Sequence, residues 1–138
     1  MPLRILLADD SRTVRHSLHG LLEQNPDWGV CAEAVDGVDA IAKAQPCRPD
    51  IIILDFFMPG MTGVEAAQVL NRVPPSFPIL IVTLYITAQL VAQAKSAGVK
   101  GAVQKSDTSQ VISGVKALLN KGTFFESKPI EPVAQFLL

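Results

Sequence analysis

The sequence predicts an α/β protein in which five parallel strands form one sheet and helices cover both of its faces. Three observations predict this doubly wound fold. Short aliphatic runs of strand length alternate five times with segments whose apolar residues recur at helical spacing. Each connection is long enough to contain a helix, as a crossover between parallel strands requires. The most apolar run, residues 51–54, has no polar alternation, which is typical of a strand buried on both faces.

The composition indicates one globular domain and excludes several functions. The chain has 138 residues, of which 49% are hydrophobic and 18% are charged, so it can form a substantial core. Its 12 basic and 13 acidic residues create no overall positive field, so DNA binding by this chain alone is not expected. No apolar run approaches the roughly 18 residues of a membrane span, and the first residues lack a signal peptide's cleavage region. We therefore expect a cytoplasmic protein that does not contact a membrane.

The cysteines and histidines do not indicate a metal site. Cys31 and Cys47 show no CxxC or His/Cys ligand spacing, so free packed thiols are expected in an intracellular α/β protein. His16 and His19 lie outside the apolar stripe of their predicted helix and have no third ligand, so we expect them on the surface. The sequence thus predicts neither a disulfide nor a metal at these residues.

The first half of the chain is predicted to contain two strands, each followed by a helix. These elements are a strand at 4–8, a helix that begins near Ser11 and ends near Asn25, a strand at 28–35 and a helix at 38–45. Ser11 or Asp10 can cap the first helix, because both side chains can accept a hydrogen bond from its first turn. The second helix is expected to end at Pro46, since proline removes a helix hydrogen bond.

The second half is predicted to contain three further strands, each again followed by a helix. These elements are strands at 51–55, 79–83 and 100–104 and helices at 62–72, 86–97 and 107–121. Pro59 and Gly60 indicate that the central strand stops soon after Asp55. Pro74 and Pro75 indicate the end of the helix after it. The chain therefore alternates strand and helix throughout, and the predicted sheet is parallel.

Polar residues follow the predicted strands at the point where each strand ends. Asp9 and Asp10 follow the first strand, Asp55 ends the third, Thr83 ends the fourth and Lys105 follows the fifth. In open α/β sheets these carboxyl ends meet at the edge where ligands bind. Three carboxylates there repel one another unless a cation neutralises them, and hard oxygen ligands favour Mg²⁺.

The remaining groups at this edge suit a phosphoryl group. Lys105 supplies a positive charge and Thr83 a neutral donor for phosphoryl oxygens. No His or Cys lies among these strand ends, so the acceptor must be a carboxylate, and we expect an aspartyl phosphate at Asp55. The alternative is that the aspartates cap helices and turns while Lys105 is merely solvated. Their joint occurrence at successive strand ends argues against that alternative.

This set of residues resembles the receiver domain of two-component response regulators over about residues 3–121. The acidic pair, the Asp55-Phe56-Phe57-Met58-Pro59 segment, Thr83 and Lys105 match the family pattern in order and spacing. The resemblance implies a flavodoxin-like sheet with strand order 2-1-3-4-5. It also implies that Asp55 accepts a phosphoryl group from the phosphohistidine of a sensor histidine kinase or a phosphotransfer protein.

The same resemblance assigns roles around Asp55. By that likeness Asp10, Asp55 and the carbonyl of Phe57 bind Mg²⁺, and Asp9 holds a water on the metal. Lys105 pairs with one phosphoryl oxygen, and Thr83 moves to bond another.

The end of the chain looks most like receivers that precede a LuxR-type helix-turn-helix, on the basis of the last helix and residues 122–125, GTFF. DNA binding is then expected only through an output domain outside this chain, and a homodimer is one expected assembly. We expect a receiver domain at 1–121 and a tail or linker at 122–138. Pro132 and the spacing of Val133, Phe136 and Leu137 predict a short apolar helix at 132–138.

The chain departs from the family pattern at positions that bear on switching. Ala102 stands three residues before Lys105, where the family commonly has an aromatic residue, and Leu84 follows Thr83 where many receivers have a small one. We expect Tyr85 to use the space left by Ala102 and to respond when Thr83 moves. Tyr85 and Phe57 are expected to flank the phosphoryl group without an acid or amide to orient water, so dephosphorylation should be slow.

Two other function classes compete with the receiver. A Mg²⁺-dependent hydrolase with an aspartyl nucleophile would have two aspartates spaced one residue apart after the first strand, whereas Asp9 and Asp10 are adjacent. A phosphate-independent interaction module would not need the complete residue set. Repeated turnover of small phosphate esters would distinguish the hydrolase from a receiver. Behaviour that is unchanged after phosphorylation would identify the interaction module.

Overall fold

The computed structural model describes residues 2–72 and 74–125. In that part of the chain, six strands form one sheet in the order β2-β1-β3-β4-β5-β6, and all adjacent pairs are parallel. The strands are β1 Leu3–Ala8, β2 Trp28–Ala34, β3 Ile51–Asp55, β4 Ile79–Thr83, β5 Gly101–Gln104 and β6 Phe124–Phe125. The helices are α1 Arg12–Glu23, α2 Gly37–Cys47, α3 Gly63–Leu70, α4 Ala88–Ser96 and α5 Thr108–Leu119.

The flavodoxin-like α/β fold with strand order 2-1-3-4-5 is confirmed for the first five strands. The expected total of five strands is corrected, because the short strand β6 pairs with the outer edge of β5. Gly101 allows this approach, since a Cβ atom there would lie 2.6 Å from the carbonyl oxygen of Phe124. A two-residue strand has too little alternation to be read from sequence.

The core has one layer on each face of the sheet, because successive side chains of each strand point to opposite faces. One layer contains Leu6, Ile52 and Ile81 from the strands and packs against α2, α3 and α4. The other contains Leu7 and Ile53 and packs against α1 and α5. All residues of β3 are buried, which confirms that it is covered on both faces.

Polar residues at the helix starts account for the turns at the carboxyl edge. The hydroxyl of Ser11 accepts a hydrogen bond from the amide of Val14 at 3.2 Å, so Ser11 rather than Asp10 caps α1. Thr62 and Glu65 form a reciprocal capping box at the start of α3. Thr87 caps α4 and Asp107 caps α5. Asp55 therefore caps none of these helices.

The second helix and the cysteines differ from expectation. Pro46 does not end α2, which continues to Cys47 and stops at Arg48 in the left-handed region with φ 50°. Cys31 on β2 and Cys47 form a disulfide, which corrects the prediction of free thiols. Their Cα atoms are 6.0 Å apart, within the range that a disulfide spans. The pairing depends on how α2 packs against β2, which local spacing does not reveal.

Two further expectations concern membranes and the end of the chain. Within the described ranges, no helix has both the length and the apolar character needed to cross a bilayer. The helix predicted at 132–138 lies outside the described residues.

Candidate functional site

The centre of the site is Asp55, the last residue of the central strand β3. The strand β3 lies between β1 and β4, and Asp55 is in register with Val82 on β4. Asp55 is 2% exposed. One carboxylate oxygen, Oδ1, accepts a hydrogen bond from the amide of Phe57 at 3.3 Å. The carboxylate thus lies at the edge of the sheet, beneath the loops that leave the strands.

Three carboxylates meet at this edge, as the sequence predicts. Asp9, Asp10 and Asp55 each offer a carboxylate oxygen, and these oxygens all lie within 4.8 Å of one another. Asp9 is fully buried, and its Oδ1 accepts a hydrogen bond from the amide of Ser11 at 2.9 Å. Asp10 is exposed. The cluster therefore has a fixed inner part and an outer carboxylate that solvent can reach.

Lys105 joins two of the carboxylates. Its Nζ atom lies 2.8 Å from Oδ2 of Asp9 and 3.0 Å from Oδ2 of Asp55. The amide of Lys105 donates to the carbonyl of Thr83 at 2.8 Å, which fixes the start of the side chain beside β4. Burial disfavours the ammonium form, but the ion pairs with Asp9 and Asp55 outweigh it and raise the pKa of Lys105. The lysine is thus a permanent cation in the site.

Burial dominates the ionisation of Asp55. Removal from water raises its pKa, the hydrogen bond from Lys105 lowers it, and the charge of Asp9 raises it again. The result is that the pKa of Asp55 rises from 3.8 to about 6. Asp55 is therefore held in a site where its negative charge is incompletely compensated.

Thr83 ends β4 at the same edge. It is fully buried, and its hydroxyl oxygen has no hydrogen-bond partner. A buried hydroxyl without a partner is costly, and such groups in native structures usually have a reason. The donor and acceptor capacity of this hydroxyl is therefore unused in this structure.

Three large apolar residues close in sequence to Asp55 and Thr83 are exposed. Phe57 is 62% exposed, Leu84 61% and Tyr85 65%. Phe57 and Tyr85 line one cleft of about 410 Å³ that also contains Phe56 and Gln93. The two expected flanking rings therefore lie on one side of the site and can be reached from solvent.

Phe125, and not the expected Tyr85, is the aromatic residue beside Ala102. Ala102 is fully buried, and the residue in register with it on the adjacent strand is Phe125. Phe125 packs against the buried cluster that contains Ala102, whereas Tyr85 is exposed. The ring beside Ala102 therefore comes from the unpredicted strand β6.

A charged network that the sequence did not reveal supports the first acidic loop. Nη1 of Arg15 donates to the carbonyl oxygen of Asp9 at 2.9 Å, and its Nε donates to Oε1 of Glu33 at 2.8 Å. His16 is exposed as expected, whereas His19 is half-buried and pairs with both Glu33 and Glu23. The hydrogen bond to Glu33 raises the pKa of His19, although burial opposes this. These contacts join α1 to β2, and no motif marks them.

The donor atoms at the site fit a hard divalent cation. Three carboxylates and one lysine leave two net negative charges when every group is ionised. Carboxylate oxygens are the ligands that Mg²⁺ prefers, and the exposed Asp10 leaves a side open for waters or phosphoryl oxygens.

An α/β sheet with an acidic cluster and a lysine at its carboxyl edge has the architecture of a signalling receiver. The response regulator receiver domain family matches residues 5–116. The chain belongs to this family, which confirms the resemblance derived from its motifs.

Individual relatives are response regulators. The response regulator protein VraR of Staphylococcus saprophyticus is 31% identical over 129 residues, which cover 93% of this chain and 62% of VraR. The transcriptional regulatory protein LnrK of Bacillus subtilis is 32% identical over 135 residues, which cover 98% of this chain and 60% of LnrK. This chain therefore spans about three fifths of the length of these curated relatives.

A solved structure supports the LuxR-type likeness. The crystal structure of a two-component response regulator of the LuxR family from Aurantimonas superposes with a TM-score of 0.88 at 30% sequence identity. The match covers 98% of this chain and 94% of that chain.

Proposed function

We propose that Asp55 accepts a phosphoryl group and that this modification switches the receiver. The observation that carries the proposal is the juxtaposition of Asp55 with two further carboxylates and with Nζ of Lys105, 3.0 Å from its Oδ2. None of the described strands ends in Cys or His, so Asp55 is the strongest candidate nucleophile at this edge. The donor is a phosphohistidine of a sensor histidine kinase or a phosphotransfer protein.

The transfer uses residues already in place. One Oδ atom of Asp55 forms a bond to phosphorus while the bond from phosphorus to the donor's imidazole nitrogen breaks. That nitrogen keeps the electron pair and takes up a proton. Lys105 then contacts a phosphoryl oxygen instead of the free carboxylate, and the unpartnered hydroxyl of Thr83 donates to another.

The proposed cofactor is Mg²⁺. Asp10, Asp55 and the carbonyl of Phe57 would hold it, and Asp9 would hold one of its waters. When bound, it neutralises the carboxylates and the phosphoryl oxygens during transfer. The chain's own part is to keep Asp9 and Asp55 buried and aligned around Lys105.

The relatives VraR, a response regulator, and LnrK, a transcriptional regulatory protein, support a wider role. We propose that this receiver controls transcription through an output domain outside this chain and that it contacts DNA only through that domain. A homodimer is the assembly to test first, and the cytoplasm is the proposed location. The receiver domain predicted at 1–121 is extended in this proposal to Phe125, because β6 completes the sheet. The tail or linker predicted after the domain stays a prediction, because residues 126–138 lie outside the described residues.

A turnover experiment distinguishes this proposal from a phosphohydrolase. The chain is incubated with Mg²⁺ and either acetyl phosphate or p-nitrophenyl phosphate, and product is counted per protein molecule. We expect one rapid modification by acetyl phosphate, followed by slow release, and no sustained turnover of p-nitrophenyl phosphate. Continuous turnover of both compounds that is lost in Asp55→Asn would identify a hydrolase instead.

A further inference from the structure

The strand β6 places one aromatic ring on each face of the sheet. Phe124 is in register with Gly101 and packs against the buried cluster on the α5 side. Phe125 is in register with Ala102 and packs against the buried cluster on the α4 side. The small side chains of β5 make this possible, because they leave room for the rings of the neighbouring strand. The two rings therefore fix β6 between α4 and α5.

A contact from α4 holds the ring of Phe125 on its outer side. The ammonium nitrogen of Lys95 lies 4.9 Å from the centroid of the ring. A cation at this distance from a ring face is attracted by the π-electrons. The position of Phe125 is thus set jointly by β5 and α4, whereas Phe124 depends on the opposite face.

The helix α4 is also the element that follows Thr83 along the chain. Ile86 and Leu90, between Thr83 and the middle of α4, are buried in the same cluster against which Phe125 packs. The segment that follows Thr83 and the ring of Phe125 therefore belong to one packed layer, and α4 also contacts the ring through Lys95. Because packed interiors are dense, a shift within that layer is passed to neighbours and not absorbed.

We propose that Phe125 is a positioning residue that couples the acceptor site to the chain beyond the receiver. The proposal rests on the proposed function, since it requires Thr83 to respond to a phosphoryl group on Asp55. In the unmodified domain the ring of Phe125 holds β6 against β5 and α4. When Thr83 moves, α4 changes its contact with the ring of Phe125, and β6 loosens from β5. The signal therefore leaves through a covalently attached strand.

Hydrogen exchange on the full 138-residue chain tests this coupling, with beryllofluoride and Mg²⁺ as a phosphoryl mimic. The amide of Phe124 donates to the carbonyl of Lys100 at 2.8 Å, so its exchange reports on β6 directly. We expect the mimic to raise exchange in both α4 and β6 several-fold. In Phe125→Leu and Lys95→Gln the α4 response should remain while the β6 response is lost. Phe125→Tyr, which keeps the ring, and the opposite-face control Phe124→Leu should retain a β6 response.

The outcomes separate the two proposals. If the mimic changes exchange nowhere in the wild-type chain, the proposed function fails. If α4 responds but β6 does not, or if β6 responds equally in Phe125→Leu and Lys95→Gln, the coupling through Phe125 is wrong. Lys95 is exposed, so its substitution leaves the fold intact and keeps the test decisive. Acetyl phosphate labelling of all variants should proceed at the wild-type rate, because none of them alters the acceptor site.

Discussion

Nζ of Lys105 lies 3.0 Å from Oδ2 of Asp55, yet the pKa of Asp55 is raised to about 6. Burial and the charge of Asp9 thus outweigh the ion pair. The ionised carboxylate of Asp55 is therefore destabilising in the metal-free site. A bound cation is therefore favourable at this site, and the unfolding free energy of the metal-free protein should depend on pH.

The first prediction concerns the pH dependence of folding. The pKa of Asp55 is higher in the folded state than its ordinary 3.8, so the folded state binds the proton more tightly and loses stability as pH rises through about 6. Relative to Asp55→Asn, metal-free wild type should lose about 2–3 kcal/mol of unfolding free energy between roughly pH 4 and 7. Urea unfolding of both proteins measures this difference. Saturating Mg²⁺ should reduce this loss of unfolding free energy. A difference in unfolding free energy between the two proteins that does not change with pH would contradict the account.

The second prediction concerns the lifetime of the aspartyl phosphate. Phe57 and Tyr85 are both more than 60% exposed and line one cleft, and neither ring can orient an attacking water. Phe57→Asn should shorten the phosphoryl lifetime several-fold, as followed by loss of label after donor removal. Tyr85→Ala should weaken the response of α4 to modification. If decay and response are both unchanged in these variants, the two rings have no role in switching.

The third prediction tests the turn between β3 and α3. A Cβ atom on Gly63 would lie 2.5 Å from the carbonyl oxygen of Asp55 and 3.0 Å from Cδ1 of Ile81. Gly63→Ala must therefore push α3 away from the site, and we expect it to cost roughly 1–3 kcal/mol of stability. The matched control is Gly20→Ala on α1, where no atom lies within 4 Å. That change should stabilise by about 0.5–1 kcal/mol, and equal effects at both glycines would refute this packing argument.

The fourth prediction tests the corrected assignment of the cysteines. Cys31 and Cys47 are separated by 16 positions, and a cross-link of that length stabilises by roughly 3 kcal/mol in the chain-entropy treatment. Cys31→Ser should therefore lower the unfolding free energy by a similar amount under oxidising conditions. Under strong reductant the variant and the wild type should become nearly equal. Alkylation of both thiols in unreduced, denatured protein would show that the pairing is absent.

The sequence predicted the parts of the molecule that depend on local pattern. Aliphatic runs mark the strands β1, β3 and β4. The polar residues after the strands predict the acidic cluster with Lys105, because parallel topology brings strand ends together. The contacts it missed join different structural elements, whose packing no local pattern specifies. Arg15 reaches the backbone of Asp9, Cys31 pairs with Cys47, and Phe125 fills the space beside Ala102. None of these has a spacing signature, so only the packed structure reveals them.

The central claim is that Asp55 is the phosphoryl acceptor, and intact-mass spectrometry after treatment with acetyl phosphate and Mg²⁺ tests it most directly. We predict that the wild-type chain gains one phosphoryl group. When a metal chelator is added before the phosphoryl donor, the wild-type chain should gain none. Asp55→Asn should show no gain, while the exposed-residue control Gly20→Ala should label normally. A phosphoryl group that still appears on Asp55→Asn, or that forms equally without divalent metal, would contradict the account.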